Sequence, residues 1–524
     1  MSEAPAANAA PELLISAPAG TLRKLRDSAP SLLHPYAIPI TYILAVTFAM
    51  GVSPYAVLRS IAIALVGVTI LIAVFTVILR DVHRAAIAVL LVYLLSISVA
   101  TTALFILAVP TVVLVVTLDR LPRRRITWAR INGTISTIVS ILLGMILIQS
   151  CVAGQMGRAI SDLSQGGGVA TQDATATLDP SKPDIYVIVL DAYARPDTLL
   201  TSFGLDDGSF LSELRGRGFD VAANSHSNYP VTAETLVTML NMDYLDKIDQ
   251  VKGIHTDDPS SDGSYRQAIN DNAVFRTFRG YGYEIVSTGS GWEQLAIRQS
   301  DVYLDSGQLN TAESSMLQET GLISMVNLLA PDWAADQARG RMDGAFSEIQ
   351  QVAETASSKP RLVISHVLAP HAPFVYGPNG EHLKVASSNI FQFDWLNGGH
   401  DQQTRDAYAG QVAYVNSKVL PVVDAIIRSS RRPSVVILMS DHGSRLNTAE
   451  GTTMMSPEAD DNFFAALTPG HPGLFGDSPT PVNHFRRLLN TYLGTSLPIL
   501  ADRSYLAPWG KPLELTPLPE APAP

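Results

Sequence analysis

The chain has 524 residues, a formal net charge of −11, 47% hydrophobic residues and a single cysteine. That length exceeds one small module. One cysteine excludes an internal disulfide framework, a cysteine-only zinc cluster and a CxxC redox pair, and the acidic balance argues against a nucleic-acid-binding face. Charged residues reach only 16% and mean hydropathy is +0.18, where a soluble domain carries about a quarter charged residues, so part of the chain is expected in lipid.

The charge is uneven. Residues 1–152 hold 11 basic and 5 acidic side chains, leaving 26 basic and 43 acidic ones behind them, so the front carries +6 and the rest −17. A basic, apolar front and an acidic, mixed remainder predict a membrane anchor joined to a water-soluble domain. Residues 1–33 read as a cytoplasmic tail with Arg23, Lys24 and Arg26 and no apolar stretch of the signal-peptide kind. Apolar runs follow at 36–53, 58–79, 85–118 and 132–152, which makes 34–152 a transmembrane region. A helix crosses the hydrocarbon core with about 20 apolar residues, so the long third run reads as a hairpin of two. Arg80 and Arg84 before that run, and Arg120, Arg123, Arg124, Arg125 and Arg130 after it, keep both flanks inside. A turn near Thr101–Thr102 provides the even number of crossings, with Pro110 in the second arm. Five crossings then put everything after Cys151 outside the cytoplasmic membrane. No Asp, Glu or Lys falls within the spans, which favours an anchor over an ion pathway. Asn132-Gly133-Thr134 matches a glycosylation acceptor, but it adjoins the arginine-rich inner loop.

Residues 153–182, centred on Gly166-Gly167-Gly168, read as a flexible linker, and 506–524 as a proline-rich, disordered tail. Between them, short β-branched runs at 185–190, 219–223, 283–286, 362–367 and 435–439 alternate with helical patterns at 233–241, 344–356 and 406–429. Such alternation predicts an α/β domain over 183–505 with a largely parallel sheet covered on both faces. Ligands of such sheets bind beyond the carboxyl ends of the strands.

Two strand ends carry chemistry. The first run leads into Asp191, and the last, Val435-Val-Ile-Leu-Met-Ser440, leads into Asp441-His442-Gly443. Two carboxylates and an imidazole on one sheet edge suit a hard-to-borderline divalent cation, although an Asp closing a strand also serves as a turn residue or cap. A third segment, Ser225-His-Ser-Asn-Tyr-Pro-Val-Thr232-Ala-Glu-Thr-Leu-Val-Thr-Met-Leu-Asn241, brings an extended loop into a helix at Thr232. Thr232 is expected to cap that helix. In that position its hydroxyl also lies beside helix amides that favour an anionic oxygen and is available as a nucleophile.

This order of strand–Asp, hydroxyl entering a helix, then strand–Asp-His-Gly resembles the alkaline phosphatase superfamily. It is most similar there to sulfatase-like membrane proteins such as lipoteichoic acid synthases and lipid A phosphoethanolamine transferases. The resemblance implies an alkaline phosphatase/sulfatase-like domain behind an N-terminal α-helical transmembrane bundle. It implies Asp191, Thr232, Asp441 and His442 as metal ligands, Thr232 as nucleophile with Thr235 three positions on, and a divalent ion, Zn or Mn ahead of Mg or Ca. Pro370-His371-Ala-Pro373-Phe374 resembles the superfamily's substrate-side histidine loop, which implies a catalytic contact for His371. The chain departs from the pattern in two places. Transferases of this kind often have Glu where Asp191 stands. Formylglycine sulfatases need Cys or Ser in Cys/Ser-x-Pro-x-Arg, whereas this stretch reads Thr232-Ala-Glu-Thr-Leu236.

Trp292 and Arg298 are candidates for the pocket wall, while His226, His366 and His484 read as structural, surface or packing residues. The expected activity is metal-dependent hydrolysis or transfer of a phosphoester outside the cytoplasmic membrane, on a phospholipid headgroup or envelope glycan. A sulfuric-ester hydrolase on the same fold and a non-catalytic envelope binding protein are the alternatives. Reporter fusions test the topology: residues 54–57 and 160 should report outside, and residues 82 and 124 inside. A cytoplasmic residue 160 would separate the domain from its expected substrates.

Overall fold

The computed structural model describes residues 32–98, 127–152 and 182–518, apart from 51, 53, 258, 260–262, 320–325, 327, 385–400, 447–453 and 509. The chain divides into two compact units, one built from the apolar helices and one carrying the mixed α/β sequence.

In the helical unit, the segments His34–Ala49, Leu58–Leu79, Val82–Ser98 and Trp128–Val152 are α-helical. Val68, Phe75 and Leu79 pack against Ala85, Ala88 and Val92. Ile63, Val66 and Val77 point outward, as a helix apolar all round does when lipid is its solvent. Two helices among the described residues, Leu58–Leu79 and Trp128–Ile148, are long and apolar enough to cross a membrane. The first predicted span forms a helix of 16 residues and the start of the third one of 17. The expected turn at Thr101–Thr102 lies outside the described residues. Asn132 is buried and donates from Nδ2 to the His83 carbonyl at 2.9 Å, so its amide is engaged in helix packing.

The α/β unit is organised by Asp184–Leu190 (β1), Asp220–Val221 (β2), Glu284–Thr288 (β3), Val302–Leu304 (β4), Arg361–Val367 (β5), Ser434–Met439 (β6) and Phe464–Leu467 (β7). They form a sheet in the order β2-β7-β6-β1-β5-β3-β4. β1, β3, β4, β5 and β6 run parallel, while β7 lies antiparallel to β6 and β2 antiparallel to β7. β1 is Ile-Tyr-Val-Ile-Val-Leu after its first residue, apolar at every position because both of its faces are covered. Ile185, Val187 and Val189 join one core with the helices Thr232–Asn241, Ala273–Gly280 and Pro481–Leu493. Tyr186, Ile188 and Leu190 join the opposite core with Trp333–Glu354 and Gln402–Ser429.

Two expectations change. The helix predicted over 344–356 begins at Trp333, because Ala334, Ala335, Ala338 and Met342 extend its buried face towards the N-terminus. Among the described residues of the proline-rich end, Tyr505–Leu506 (β8) pairs with Thr516–Pro517 (β9), and Tyr505 stacks on Tyr229 at 5.3 Å. Proline does not prevent this, since a two-stranded edge needs few amide donors.

His484 sits in the core between Phe464 and Phe475, with ring centroids at 4.7 and 5.6 Å, and neither ring nitrogen makes a hydrogen bond. Burial, and then Arg487, push its pKa down from 6.5 to about 3. The folded chain therefore binds fewer protons than the unfolded chain between those values. This stabilising term is complete above pH 6.5 and is lost on acidification towards pH 3, at about 1.4 kcal/mol per pH unit. Thermal-unfolding midpoints of the purified chain against pH should show a flatter acid limb for His484→Phe than for the wild type. Parallel curves would assign the acid sensitivity elsewhere.

Candidate active site

The site follows from strand order. β1 lies between β5 and β6, with Val189 level with both His366 and Met439. The residues leaving the carboxyl ends of these strands therefore emerge side by side, at the edge where parallel sheets bind ligands. Asp191 leaves β1, and Ser440, Asp441 and His442 leave β6. Asp191, Asp441 and His442 are fully buried, and one donor atom from each lies within 4.8 Å of the other two.

Each member is oriented by hydrogen bonds. His442 Nδ1 lies 2.7 Å from the Gly443 carbonyl, which can only accept. The proton is therefore on Nδ1, and the Nε2 lone pair faces Asp191 Oδ1 and Asp441 Oδ2, both at 3.6 Å. Asp441 Oδ1 accepts from the Ala192 amide at 3.1 Å. Asp191 Oδ2 lies 3.0 Å from His366 Nε2. Burial alone would raise the Asp191 pKa, but His371, His366 and His442 outweigh it and hold the carboxyl well below its usual range. His366, read from sequence as structural, thus grips one oxygen of Asp191.

The backbone around these residues is specialised. Ala192 has φ of +62°, a left-handed conformation costly for a residue with a Cβ. It is pinned by its amide to Asp441 and by the Tyr408 hydroxyl, which donates to the Ala192 carbonyl at 2.8 Å. Ser440 Oγ accepts from the Tyr193 amide and donates to the His442 carbonyl at 2.6 Å. Gly443 donates its amide to the Ala459 carbonyl at 2.6 Å. A Cβ on Gly443 would stand 2.2 Å from the Glu458 carbonyl oxygen and 2.5 Å from that of Asp461, so only glycine fits after Asp441-His442.

Thr232 opens the helix Thr232–Asn241 and is buried, with Oγ1 3.4 Å from His442 Nε2. The expected capping role is not found. Val231 occupies the N-cap position in extended conformation, with no side-chain cap bond, and Thr232 is the first helical residue. The helix starts one position earlier than a capping threonine requires, because Thr235 Oγ1 and the Thr235 amide already tie the first turn to the carbonyls of Tyr229 and Val231. The Thr232 hydroxyl faces the metal-type cluster instead.

His371 joins the same edge from the loop after β5, where its amide donates to the Asp191 carbonyl at 3.0 Å. Its Nδ1 donates to the Ala372 carbonyl at 2.7 Å, which assigns the proton to Nδ1 and the lone pair to Nε2. Burial lowers its pKa. His371 lines a small cleft with Ala192, Phe374, Tyr408 and Arg445. Arg445 went unremarked in the sequence, although its position two residues past Gly443 was a usable signal. Trp292 and Arg298 do not line this cleft. Arg298 is committed to Glu293 at 2.6 Å and lies over the Tyr303 ring, and Trp292 packs against the core beside β1. His226 pairs with Asp502 at 2.6 Å.

The residues present fit a divalent cation. Asp191 Oδ1 and Asp441 Oδ2 are buried without a hydrogen bond, an arrangement costly for a carboxylate unless a cation completes it. His442 Nε2 has its lone pair turned to the same point, with its other nitrogen fixed by a backbone carbonyl, as in metal-ligating histidines.

The family model described as Sulfatase matches residues 183–475. Comparison with curated proteins yields no match. Among solved structures, the C-terminal periplasmic domain of EptC from Escherichia coli is similar at 14% identity, covering 66% of this chain and 98% of that one with a TM-score of 0.41. The integral membrane lipooligosaccharide phosphoethanolamine transferase A from Neisseria meningitidis is 14% identical, covering 88% of this chain and 94% of its own, with a TM-score of 0.37. The lipoteichoic acid synthase LtaP from Listeria monocytogenes is 12% identical, over 62% of this chain and 76% of its own, with a TM-score of 0.38. The family match spans more than half of the chain, and by it this protein belongs to the Sulfatase family of the alkaline phosphatase superfamily.

Proposed function

We propose that this chain is a membrane-anchored, metal-dependent enzyme that cleaves or transfers a phosphoester outside the cytoplasmic membrane, with Thr232 as nucleophile. The observation that carries this reading is the Thr232 hydroxyl itself. It is buried, unused for capping, and 3.4 Å from the nitrogen of His442 that faces both aspartates. Asp191, Asp441, His442 and Thr232 would hold a divalent cation, with Zn or Mn ahead of Mg or Ca for this mixed oxygen and nitrogen set. When bound, such an ion supplies charge stabilisation at phosphoryl oxygens and makes a hydroxyl more acidic.

The chain's own residues do the rest. Thr232 Oγ1 forms a bond to phosphorus as the ester oxygen leaves, and the hydroxyl proton passes to that departing oxygen, giving a phosphothreonine and a free alcohol. Its position in the first helical turn places the transferred group near amides that favour anionic oxygen. His371, with Nδ1 tied to the Ala372 carbonyl, presents Nε2 to accept the proton of an incoming water or glycan hydroxyl as the phosphothreonine is resolved. The apolar helices anchor this site to lipid, which favours a phospholipid headgroup or an envelope glycan as substrate. The 183–505 segment would be the catalytic domain, and 153–182 its tether. The family match supports a second reading, sulfuric-ester hydrolysis. The stretch Thr232-Ala-Glu-Thr-Leu236 opposes it, because it cannot yield formylglycine.

The test uses the full chain in detergent with a nitrophenyl phosphate ester and an aryl sulfate. Thr232→Val, which keeps the shape and loses the hydroxyl, should reduce phosphoester turnover by several orders of magnitude, each tenfold loss being about 1.4 kcal/mol of barrier. Thr232→Ser should retain part of it, and mass spectrometry should place a phosphoryl adduct on the wild-type peptide containing residue 232. Metal content should fall in Asp441→Asn and stay near wild type in Thr232→Ser. An active Thr232→Val enzyme would refute the nucleophile, and turnover of the aryl sulfate alone would favour the second reading.

A further inference from the structure

The segment after the helix Pro481–Leu493 lies beyond the 183–475 family match, and the reading above gives it no role. Part of it runs as a strap along the loop that leads into Thr232. The Tyr505 amide donates to the Asn228 carbonyl at 3.1 Å, Ser504 Oγ donates to the Ser227 carbonyl at 2.7 Å, and Asn228 Nδ2 donates to the Arg503 carbonyl at 2.9 Å. His226 Nε2 meets Asp502 at 2.6 Å. The Tyr505 ring stacks on Tyr229 at 5.3 Å, with 14° between the ring planes. The strap is itself anchored. Tyr244 donates its hydroxyl proton to the Ala501 carbonyl at 2.7 Å, Leu500 and Asn483 exchange two hydrogen bonds, and the Leu518 amide donates to the Ser504 carbonyl at 2.8 Å.

Ser227, Asn228 and Tyr229 are buried, so their backbone polar groups need partners within the protein. The strap supplies several of them, and the segment after β6 supplies others: Ser225 Oγ donates to Asn462 Oδ1 at 2.6 Å and the Ser227 amide to the Asp460 carbonyl at 2.8 Å. The Tyr229 carbonyl in turn accepts from Thr235 Oγ1 at 3.2 Å. The stack of Tyr505 on Tyr229 therefore reaches the first turn of the Thr232 helix in two steps. A nucleophile works only when held on its line of attack, and a displacement of about 1 Å costs about a hundredfold in rate. We propose that Tyr505 is a positioning residue for the Thr232 hydroxyl. With Ser504 and the Arg503 carbonyl it fixes residues 227–229, and through Tyr229 and Thr235 it fixes the turn that presents Thr232. This rests on Thr232 being the nucleophile. It extends the machinery past the family match, to residues outside the Asp191-Asp441-His442 cluster and the His371 cleft.

The experiment measures turnover of the nitrophenyl phosphate ester by the full chain in detergent, loaded with Zn or Mn. Rates are taken well below the melting temperature and expressed per mole of folded, metal-containing protein. Tyr505→Ala should lower kcat about tenfold or more, with KM within about threefold and metal content near wild type. It should slow the appearance of the phosphothreonine in a single turnover by the same factor. Tyr505→Phe, which keeps the ring, should recover most of kcat. Ser504→Ala is a smaller change that leaves the ring stack in place, and it carries the test if Tyr505→Ala does not fold. It should lower kcat about threefold, again with little change in KM. A strap that only stabilised the domain would lower the melting temperature and leave kcat of the folded protein at the wild-type value. That result would overturn the positioning role while leaving the phosphoester reading intact. Loss of bound metal in step with kcat would overturn it too, by moving the effect from Thr232 to the cation site. A wild type that forms no phosphoryl adduct on the peptide containing residue 232 would overturn the nucleophile, and this inference with it.

Discussion

Two buried carboxylates within reach of each other are the constraint around which this sheet edge is built. Asp191 and Asp441 are fully buried, with donor atoms within 4.8 Å, a separation at which like charges in a low-dielectric interior repel strongly. The surroundings answer that repulsion with His366 on one oxygen of Asp191, His442 between the two, and the Arg445 guanidinium nearby. The two oxygens left without hydrogen bonds turn to the same point as the His442 lone pair. An unpaired buried carboxylate is strongly destabilising, so the arrangement makes physical sense as a cation site and poor sense as a packing detail.

Holding those groups in place requires backbone that a generic sheet edge would avoid. Ala192 takes a left-handed conformation directly after Asp191, and Gly443 approaches two carbonyl oxygens too closely to carry a side chain. Such local costs persist only where neighbouring structure over-determines them. Here the supports are Tyr408, Ser440 and the 457–462 segment, fastened to cores on both faces of the sheet. The precision of the site is therefore a property of the packed sandwich, and the loops inherit it.

Family membership and the chemistry of the site are separate questions in this chain. The Sulfatase match describes the domain, but a fold supports many reactions and the reaction belongs to the site. Thr232, whose hydroxyl faces His442, stands in a stretch without the residues that formylglycine chemistry needs. In the proposed function, a secondary hydroxyl near a cation-type cluster attacks phosphorus, and the two long apolar helices among the described residues suit a substrate pool at a membrane.

The amino-acid sequence by itself determined the elements whose signal is local. The apolar runs of β1, β5 and β6 announce central parallel strands, and Asp191 and Asp441-His442 are conspicuous because a charge ends an otherwise uninterrupted apolar run. The long apolar helices are legible for the same reason, since lipid demands composition and little else. Tertiary structure decided what depends on distant partners. β2 and β4 are two and three residues long and exist only as neighbours of β7 and β3. Whether Thr232 caps its helix or faces His442 turns on a single residue of register, which Val231 takes because Tyr229 and Thr235 fix the preceding loop. His366 looks like any core histidine until β1 and β5 are aligned, and Arg445 looks like any loop arginine until the cleft closes around it. Hydrophobic periodicity specifies where a strand runs, but a hydrogen bond between residues 175 positions apart leaves no periodic trace in either segment.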